Sequence, residues 1–389
     1  MNNLIFYGAL VNPRNNYSFF CVAIYFFLFG CVSEKGREND FIYFNVSAAY
    51  QEKEIKLEEV ADIEYLQLEF DEDFLFSEVA TAVTTNYIIV CRFVAGDILI
   101  FSREGKPLSK FNHKGSGPNE YVYIERLIFD ESSDEFFVKF RDKIIVYSLS
   151  GEFKRELQLH GNHRREIANF DAQTLLLYDD DNPFYPTSVT LISKNDGSVV
   201  YSINIRKEKE EVVLYVSSPN EGFIIIGPTY HLVNYKDGCL LTDFSVDTVY
   251  FLSAERKFSP MFVRQPAIQS MDPVVYLNCF VEAGDYQFMS AVTVKNENNR
   301  LPITYLMHDK ETGSIYRQKI TFDDYEGKEV NLSPETISNT QNSKLGLIVF
   351  SLTELQDANK ENKLNGKLKE LVDNSDDDGN DIYMLLHFK

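Results

Sequence analysis

The feature of this sequence that most constrains its fold is a hairpin pattern that recurs at constant spacing. Three segments each hold an apolar strand, a polar turn closing on glycine, and a second strand: residues 97–111, 143–157 and 188–205. The turn glycines, Gly105, Gly151 and Gly197, lie 46 positions apart both times. Glycine supplies the positive φ that a tight hairpin turn needs, and strand pairs at a fixed period are typical of a repeated sheet.

The pattern continues more loosely toward the C-terminus. Residues 247–263 and 304–320 read as two further hairpins, with longer loops between them. A sixth unit can be assembled from strands at 346–352 and 381–389 together with an N-terminal strand at 64–70. Pairing the two ends of the chain would close a ring and remove exposed sheet edges. We therefore predict an all-β fold, a six-bladed β-propeller closed by its N- and C-terminal strands.

The composition agrees with this prediction. The chain contains 31 Phe and 23 Tyr, which favour strands. Sustained helical spacing occurs only around residues 352–372, where Gly366 interrupts it. We expect a minor C-terminal helical insertion of at most two short helices. The formal net charge of −21 would repel a phosphate backbone, so we expect no nucleic-acid partner.

The N-terminal stretch SFFCVAIYFFLFGC, residues 18–31, carries no charge and follows Arg14. About 13 apolar residues are too few to cross a membrane but suit the apolar region of a secretory signal. Leu28 to Cys31 resembles the bacterial lipobox Leu-x-Gly-Cys. That resemblance implies that Cys31 becomes the lipid-bearing N-terminus of the mature protein; the alternatives are an ordinary cleaved signal or a short anchor.

The expected organisation is a lipoprotein signal peptide at 1–30, a flexible tether at 31–40 and the propeller at 41–389. The expected location is the cell envelope, with the protein held at the outer membrane by its lipid; the sequence leaves open whether it faces the periplasm or the surface. Beyond the leader, only Cys91, Cys239 and Cys279 remain. An odd number of single cysteines implies no disulfide framework.

A second motif lies between the first two hairpin units, in HKGSGPNEY at residues 113–121. This G-x-G-P-x-E-Y motif, the repeated hairpins, the DTVY strand at 247–250 and the acidic turn before the last strand resemble the bacterial six-bladed β-propeller lipoproteins related to NHL-repeat proteins. The resemblance covers nearly everything after Cys31. It implies a fold and a location, and no particular activity.

The same motif supplies candidate site residues. We expect Gly115, Gly117 and Pro118 to form a stiff, sharp turn in the connection between the first and second blades. Glu120 and Tyr121 would then point near the mouth of the channel. In the alternative reading, Glu120 caps neighbouring main-chain N–H groups and Tyr121 packs between blades, so that the motif serves the fold.

The corresponding connections elsewhere are basic for so acidic a chain. If they share one face, their side chains would form a partly cationic mouth for an anionic glycan or a peptide C-terminus. The candidate ligand-binding residues of these connections are Lys114, His160, His163, Arg164, Arg165, Arg206 and Arg264. Alternatively, these are solvated loop charges that pair with nearby glutamates. His160 and His163 could share a metal, but a hydrated loop pair is the expected state, and we predict no metal site and no cofactor.

Linear signatures of catalysis are absent from the sequence. There is no HExxH, paired CxxC, GxSxG or Walker motif, and the acidic turn at 373–381 lacks the glutamate that a calcium loop requires at its last position. The leading hypothesis is a lipid-anchored binding or scaffold module with a glycan, peptide or envelope-protein partner. The alternative is a propeller enzyme of the metal-dependent hydrolase, lactonase or lyase type, whose residues gather at the channel mouth from several blades.

Overall fold

The computed structural model describes residues 41–159, 165–179, 187–206, 208, 214–218, 222–226, 231–243, 245–295, 301–338, 340–376 and 379–389. They form one compact unit. The described chain begins with strands β1 (Ile42–Asn45) and β2 (Glu52–Lys56), the helical turn α1 (Leu57–Val60) and strand β3 (Ala61–Gln67).

Three four-stranded antiparallel blades follow, and the strands of each blade pair in chain order. Blade 1 contains β4 (Ala82–Val83), β5 (Tyr87–Arg92), β6 (Asp97–Ser102) and β7 (Pro107–Asn112). Blade 2 contains β8 (Arg126–Asp130), β9 (Glu135–Phe140), β10 (Lys143–Ser148) and β11 (Phe153–Gln158). Blade 3 contains β12 (Arg165–Asn169), β13 (Thr174–Asp179), β14 (Thr187–Ser193) and β15 (Val199–Ile205).

A separate hairpin, β16 (Leu214–Ser218) and β17 (Gly222–Ile226), lies between blades 3 and 4 in the chain. Blade 4 contains β18 (Leu232–Tyr235), β19 (Gly238–Leu241), β20 (Thr248–Leu252) and β21 (Phe258–Gln265), and a 3-10 turn follows at Ile268–Ser270. Blade 5 contains β22 (Val275–Ala283), β23 (Tyr286–Thr293), β24 (Ile303–Asp309) and β25 (Ile315–Thr321), with β26 (Glu329–Val330) paired to β25.

Blade 6 has three strands, drawn from both ends of the described chain. The helix α2 (Pro334–Ser338) precedes β27 (Leu345–Phe350), the helices α3 (Leu352–Lys360) and α4 (Gly366–Asp373) follow, and β28 (Ile382–Phe388) comes last. β28 pairs with β27 on one side and with β3 on the other, from Ile382 opposite Gln67 to Phe388 opposite Ala61. The predicted six-bladed propeller, its ring closure and its short helical insertion are therefore confirmed.

The turn chemistry explains why the repeat is regular. Gly105, Gly151 and Gly197 have φ of +90°, +83° and +76°, and each closes the turn between the third and fourth strands of its blade. In blade 4, where the sequence lacks this glycine, Arg256 takes the same left-handed conformation at φ +64°. The hairpins also share a bulge, with one extra residue in the fourth strand, so a common backbone path is kept in blades 1 to 4.

The sequence did not predict that the N-terminal segment would run along the outer edges of two more blades. β1 pairs in parallel with β21 of blade 4, and β2 pairs in parallel with β25 of blade 5. The ion pairs Glu52–Arg317 (3.1 Å) and Glu54–Lys319 (3.0 Å) join β2 to β25. Such exposed pairs contribute little each, so the burial of Ile55 and the main-chain ladder hold this strand.

Buried polar contacts fix neighbouring blades to each other. Lys194, in the last turn of blade 3, contacts Asp130 of blade 2 at 2.6 Å, and both side chains are almost fully buried. Burial is the largest single influence on Asp130 and acts to raise its pKa. The hydrogen bonds from Lys194, Ser132 and Ser133 and the charge of Lys194 together outweigh burial, so the pKa is lowered. Cys91, Cys239 and Cys279 are also buried, and none of them forms a disulfide bond.

Candidate functional site

A cavity of about 510 Å³ lies at one end of the central channel. Its wall includes the first residues of β8 and β18 and most of β12, together with the segment that leads into β4. Four consecutive blades therefore contribute to it. A volume of this size is within the range of small-ligand sites, about 300–1,000 Å³.

The floor of the cavity exists because blade 6 lacks an innermost strand. The segment that would form this strand contains α2, which contacts β18, β22 and β27 and so fills the channel. Ile337 is buried there, and Gln341 adopts a left-handed φ of +54°. The channel is thereby closed beneath the cavity.

Gln341 connects this floor to three other blades. Its side-chain amide donates to the main-chain carbonyls of Thr81 (2.9 Å) and Leu127 (3.1 Å), and its Oε1 accepts from the main-chain N–H of Phe129 (3.3 Å). Its own carbonyl accepts from the side chain of Asn234 at 3.0 Å. These bonds hold the floor in one position relative to the wall.

Arg126 is the single cation among the described residues that line the cavity. It is exposed, it is the first residue of β8, and its Nη1 donates to the main-chain oxygen of Glu125 at 3.2 Å. The carboxylate of Glu125 is turned to Lys139 and to the main-chain N–H of Arg141. Within the described part of the chain, no carboxylate forms an ion pair with Arg126, which leaves guanidinium donors for a ligand.

Glu166, on β12, contributes a carboxylate to the same wall. Its Oε2 accepts the main-chain N–H of His231 at 2.9 Å, and the His231 ring stacks on Tyr178 with a centroid distance of 4.4 Å. Burial raises the pKa of Glu166, against the opposing effects of His231 and of the positive charge of Arg126. The carboxyl group is thus held in place by a main-chain hydrogen bond from blade 4, and the residue also lines the cavity.

A second carboxylate, Glu78, also lines the cavity and lies 3.9 Å from the guanidinium of Arg92. Most of the remaining wall is apolar, with amide groups at its inner end. Ile167, Leu232 and Val233 supply apolar surface, and Asn169 stands at the end of β12. The Oδ1 atom of Asn169 is buried and has no hydrogen-bond partner among the described residues. A buried acceptor without a donor is costly. Oδ1 has almost no accessible surface, so a ligand donor would reach it when the Asn169 side chain turns toward the cavity, and that contact would be stabilising.

The HKGSGPNEY motif forms the predicted connection between blades 1 and 2, since β7 ends at Asn112 and β8 begins at Arg126. The carboxylate of Glu120 accepts the main-chain N–H of Gly117 at 2.7 Å. A Cβ atom on Gly115 would lie 1.9 Å from this carboxylate, so any side chain there would displace the carboxylate of Glu120. The main-chain carbonyl of Pro118 accepts a hydrogen bond from Lys143 at 2.9 Å.

Tyr121 is fully buried between the first two blades, and its hydroxyl donates to the main-chain oxygen of Gly96 at 2.8 Å. Burial raises the pKa of Tyr121 to about 12. Lys114 is exposed in the same loop and donates to the carbonyl of Val94 at 2.7 Å. Neither side chain is among the residues that line the cavity.

The predicted basic residues do not form one cluster within the described chain. Arg264 is buried and pairs with Asp247 at 2.9 Å, while Arg206 is exposed. Arg165 is the first residue of β12, with its main chain described and its side chain not. His160, His163 and Arg164 lie outside the described residues.

Sequence reasoning missed Arg126 and Glu166 because it placed the site on the connections between blades. In the structure, Arg126 and Glu166 lie just after these connections in the chain, at the beginnings of the innermost strands β8 and β12. The position of these residues in the sequence could have predicted them. A charged residue at the start of a strand that follows such a connection lies beside the channel. Among the described residues, no three His, Cys, Asp or Glu side chains lie together in an arrangement that could hold a metal.

The family model described as domain of unknown function DUF4934 matches residues 41–387. No curated protein matches the chain. Among solved structures, a protein from Bacteroides fragilis described as exported aligns over 90% of this chain and 99% of its own, with 15% identity and a TM-score of 0.58. A member of the DUF4221 family from Bacteroides vulgatus aligns over 85% and 97%, with 12% identity and a TM-score of 0.45. At 15% identity, the similarity to the Bacteroides fragilis protein shows a shared fold.

Proposed function

The chain belongs to the DUF4934 family, and we propose that it is a lipid-anchored binding module of the bacterial cell envelope. Its ligand is an anionic glycan or peptide that enters the cavity at the end of the channel. The observation that carries this proposal is the position of Arg126, a cation without an ion-pair partner among the described residues, at the rim of a closed-ended cavity. The propeller fold is compatible with a binding or scaffold role.

The rigidity of the frame supports binding. The ring is closed by the pairing of β3 with β28, and the floor is fixed by the hydrogen bonds of Gln341. A preformed cavity loses little conformational entropy when a ligand binds, which favours affinity.

The location rests on different observations. Cys31 stands at the end of a sequence that resembles a lipobox, and a structural neighbour is described as an exported protein. Among the described residues, no helix is long and apolar enough to span a bilayer. Bacterial lipoproteins carry two or three acyl chains, which is enough for stable anchoring.

The binding proposal is tested by a thermal-shift screen of the full-length protein in detergent. The probes are short oligosaccharides with and without uronic acid residues, and short acidic and neutral peptides. A ligand present at 100 times its dissociation constant adds about 2.7 kcal/mol of stability, which gives a shift of several degrees. We expect an acidic probe to give such a shift, Arg126→Gln to abolish it, and Arg141→Gln, at an exposed cation outside the cavity, to keep it. Acidic probes that shift both variants equally would contradict the proposal.

The anchor is tested separately by feeding cells a clickable fatty acid. The native chain should take up the label and remain with membranes after a salt wash, whereas Cys31→Ser should lose both properties. Label that persists in Cys31→Ser would show that Cys31 is not the lipidated residue.

A further inference from the structure

We infer that the ligand of the channel-end cavity is an acidic sugar, one or two residues long, whose carboxylate binds Arg126 and whose hydroxyl groups donate to Asn169 and Glu166. This inference rests on the proposed binding function and narrows its ligand to one class. Four features of the cavity support it.

The first feature is the order of charges with depth. Arg126 begins β8, while the floor residue Gln341 contacts Leu127 and Phe129 further along the same strand. A strand advances about 3.3 Å per residue, so Arg126 lies above the floor contacts, at the rim of the cavity. Asn169 is the last residue of β12, at the inner end of the wall. A ligand must therefore present its carboxylate at the rim and donors further in.

The second feature is the excess of acceptors in the inner wall. The buried Oδ1 of Asn169 has no partner within the described chain. The carboxylate of Glu166 accepts hydrogen bonds from the main-chain N–H groups of His231 and Leu232, and its two oxygens can accept further bonds. Gln341 uses its own amide group on the floor contacts. The inner wall consequently needs hydrogen-bond donors, and sugar hydroxyls supply several in a small volume.

The third feature is the closed floor, which argues against a peptide. A peptide that entered by its C-terminus would place its carboxylate next to the acceptors of Asn169 and Glu166, and away from Arg126. A peptide that entered by its N-terminus would place an ammonium at the inner end. The burial that raises the pKa of Glu166 disfavours its charged form, so a neutral hydroxyl suits this site better than an ammonium ion.

The fourth feature is the apolar surface between the polar groups. Ile167, Leu232 and Val233 line the wall, and Phe93 lies on the opposite side with blade 1. The C–H faces of a pyranose ring are apolar and can pack against such side chains. The cavity of about 510 Å³ accommodates one or two rings.

The test compares digalacturonic acid, its methyl ester and a neutral galactose disaccharide by isothermal titration against the full-length protein in detergent. The ester keeps the ring and hydroxyls and loses the charge. We expect the acid to bind at least about tenfold more tightly than the ester, because a charge-assisted bidentate contact is lost. Arg126→Gln should bring the two dissociation constants together, and Arg126→Lys should leave an intermediate ratio.

The hydroxyl contacts are tested with Asn169→Ala and Glu166→Gln, after circular dichroism has shown that each variant folds. Asn169→Ala should weaken the acid and the ester by the same factor, because its side chain does not contact the carboxylate. Glu166→Gln should weaken the acid less than the ester, because it also removes a negative charge that interacts with Arg126. Equal affinity of native protein for acid and ester would overturn the inference. If an acidic peptide binds through Arg126 and no sugar binds, the inference is overturned and the proposed binding function stands. If no probe shows binding that depends on Arg126, both the inference and the proposed binding function are overturned.

Discussion

The side-chain amide of Gln341 donates a hydrogen bond to the main-chain carbonyl of Leu127 at 3.1 Å, across the central channel. Leu127 belongs to blade 2, whereas Gln341 precedes the first strand of blade 6. The same amide reaches Thr81, which leads into blade 1. One side chain thus links three parts of the ring and closes the cavity from below.

Replacing Gln341 with methionine should loosen this floor. The change keeps the side-chain length and removes three hydrogen bonds, leaving main-chain groups of Thr81, Leu127 and Phe129 without that partner. We expect a loss of about 1–3 kcal/mol in the free energy of unfolding, measured by urea denaturation. Ser343→Ala, which removes one exposed contact to Lys236 at 2.9 Å, should cost less than about 0.5 kcal/mol. Equal effects of the two changes would contradict a special role for Gln341.

The repeat glycines offer a second prediction. Gly151 has φ of +83°, and an added Cβ would lie 2.7 Å from the Phe111 ring. Gly313 has φ of +68° and no atom within 4 Å of the added Cβ. Gly313→Ala should cost about 1 kcal/mol from backbone strain alone, and Gly151→Ala about 2–3 kcal/mol because the clash is added. Urea unfolding of the two variants measures the difference, and equal losses would show that Phe111 moves aside freely.

Acid sensitivity should depend on Glu282, at the end of β22. Burial acts to raise the pKa of Glu282, but hydrogen bonds from Lys236, Lys310 and Tyr235 prevail and lower it to about 2. A carboxyl group whose pKa is lower in the folded state contributes stability above its unfolded pKa, near 4.5, and loses that contribution as the pH falls toward 2.

The measurement is the unfolding free energy of native protein and Glu282→Gln between pH 6 and pH 3. The native protein should lose more stability than the variant over this interval, since only the native side chain takes up a proton on unfolding. Adding Lys236→Met and Lys310→Met to Glu282→Gln should cause no further change in slope. Parallel pH profiles for native protein and Glu282→Gln would show that this carboxyl group does not contribute.

The sequence predicted those parts of the fold that local chemistry determines. Hairpin turns were readable from Gly105, Gly151 and Gly197. The two short helices were also predicted, although the break between them lies at residues 361–365 and Gly366, expected to interrupt the helix, begins α4. The edge strand β2 was not readable, because EKEIK carries four charges and a single buried apolar residue, Ile55. Its attachment depends on pairing with β25, a long-range contact that leaves no local pattern.

The candidate site was less predictable for a similar reason. The floor around Gln341 comes from a polar segment that replaces a strand, and nothing in its composition distinguishes it from a surface loop. Arg264 read as a surface cation because Asp247, its partner, lies 17 positions earlier in the sequence. Which charges face the channel is decided by the closure of the ring, so Arg126 and Glu166 became visible only in the structure.

The most direct test of the central claim, that a ligand occupies the channel-end cavity, uses the absence of tryptophan from the chain. Phe93→Trp would place a single tryptophan in the cavity wall, and Phe153→Trp would place one on the exposed outer strand of blade 2; excitation at the red edge of the absorption band selects tryptophan over the 23 tyrosines. Titration with digalacturonic acid should change the emission of the Phe93→Trp protein with saturation and leave that of Phe153→Trp unchanged. Calorimetric binding to the Phe93→Trp protein with no change in its emission would contradict the account, because the ligand would then bind elsewhere.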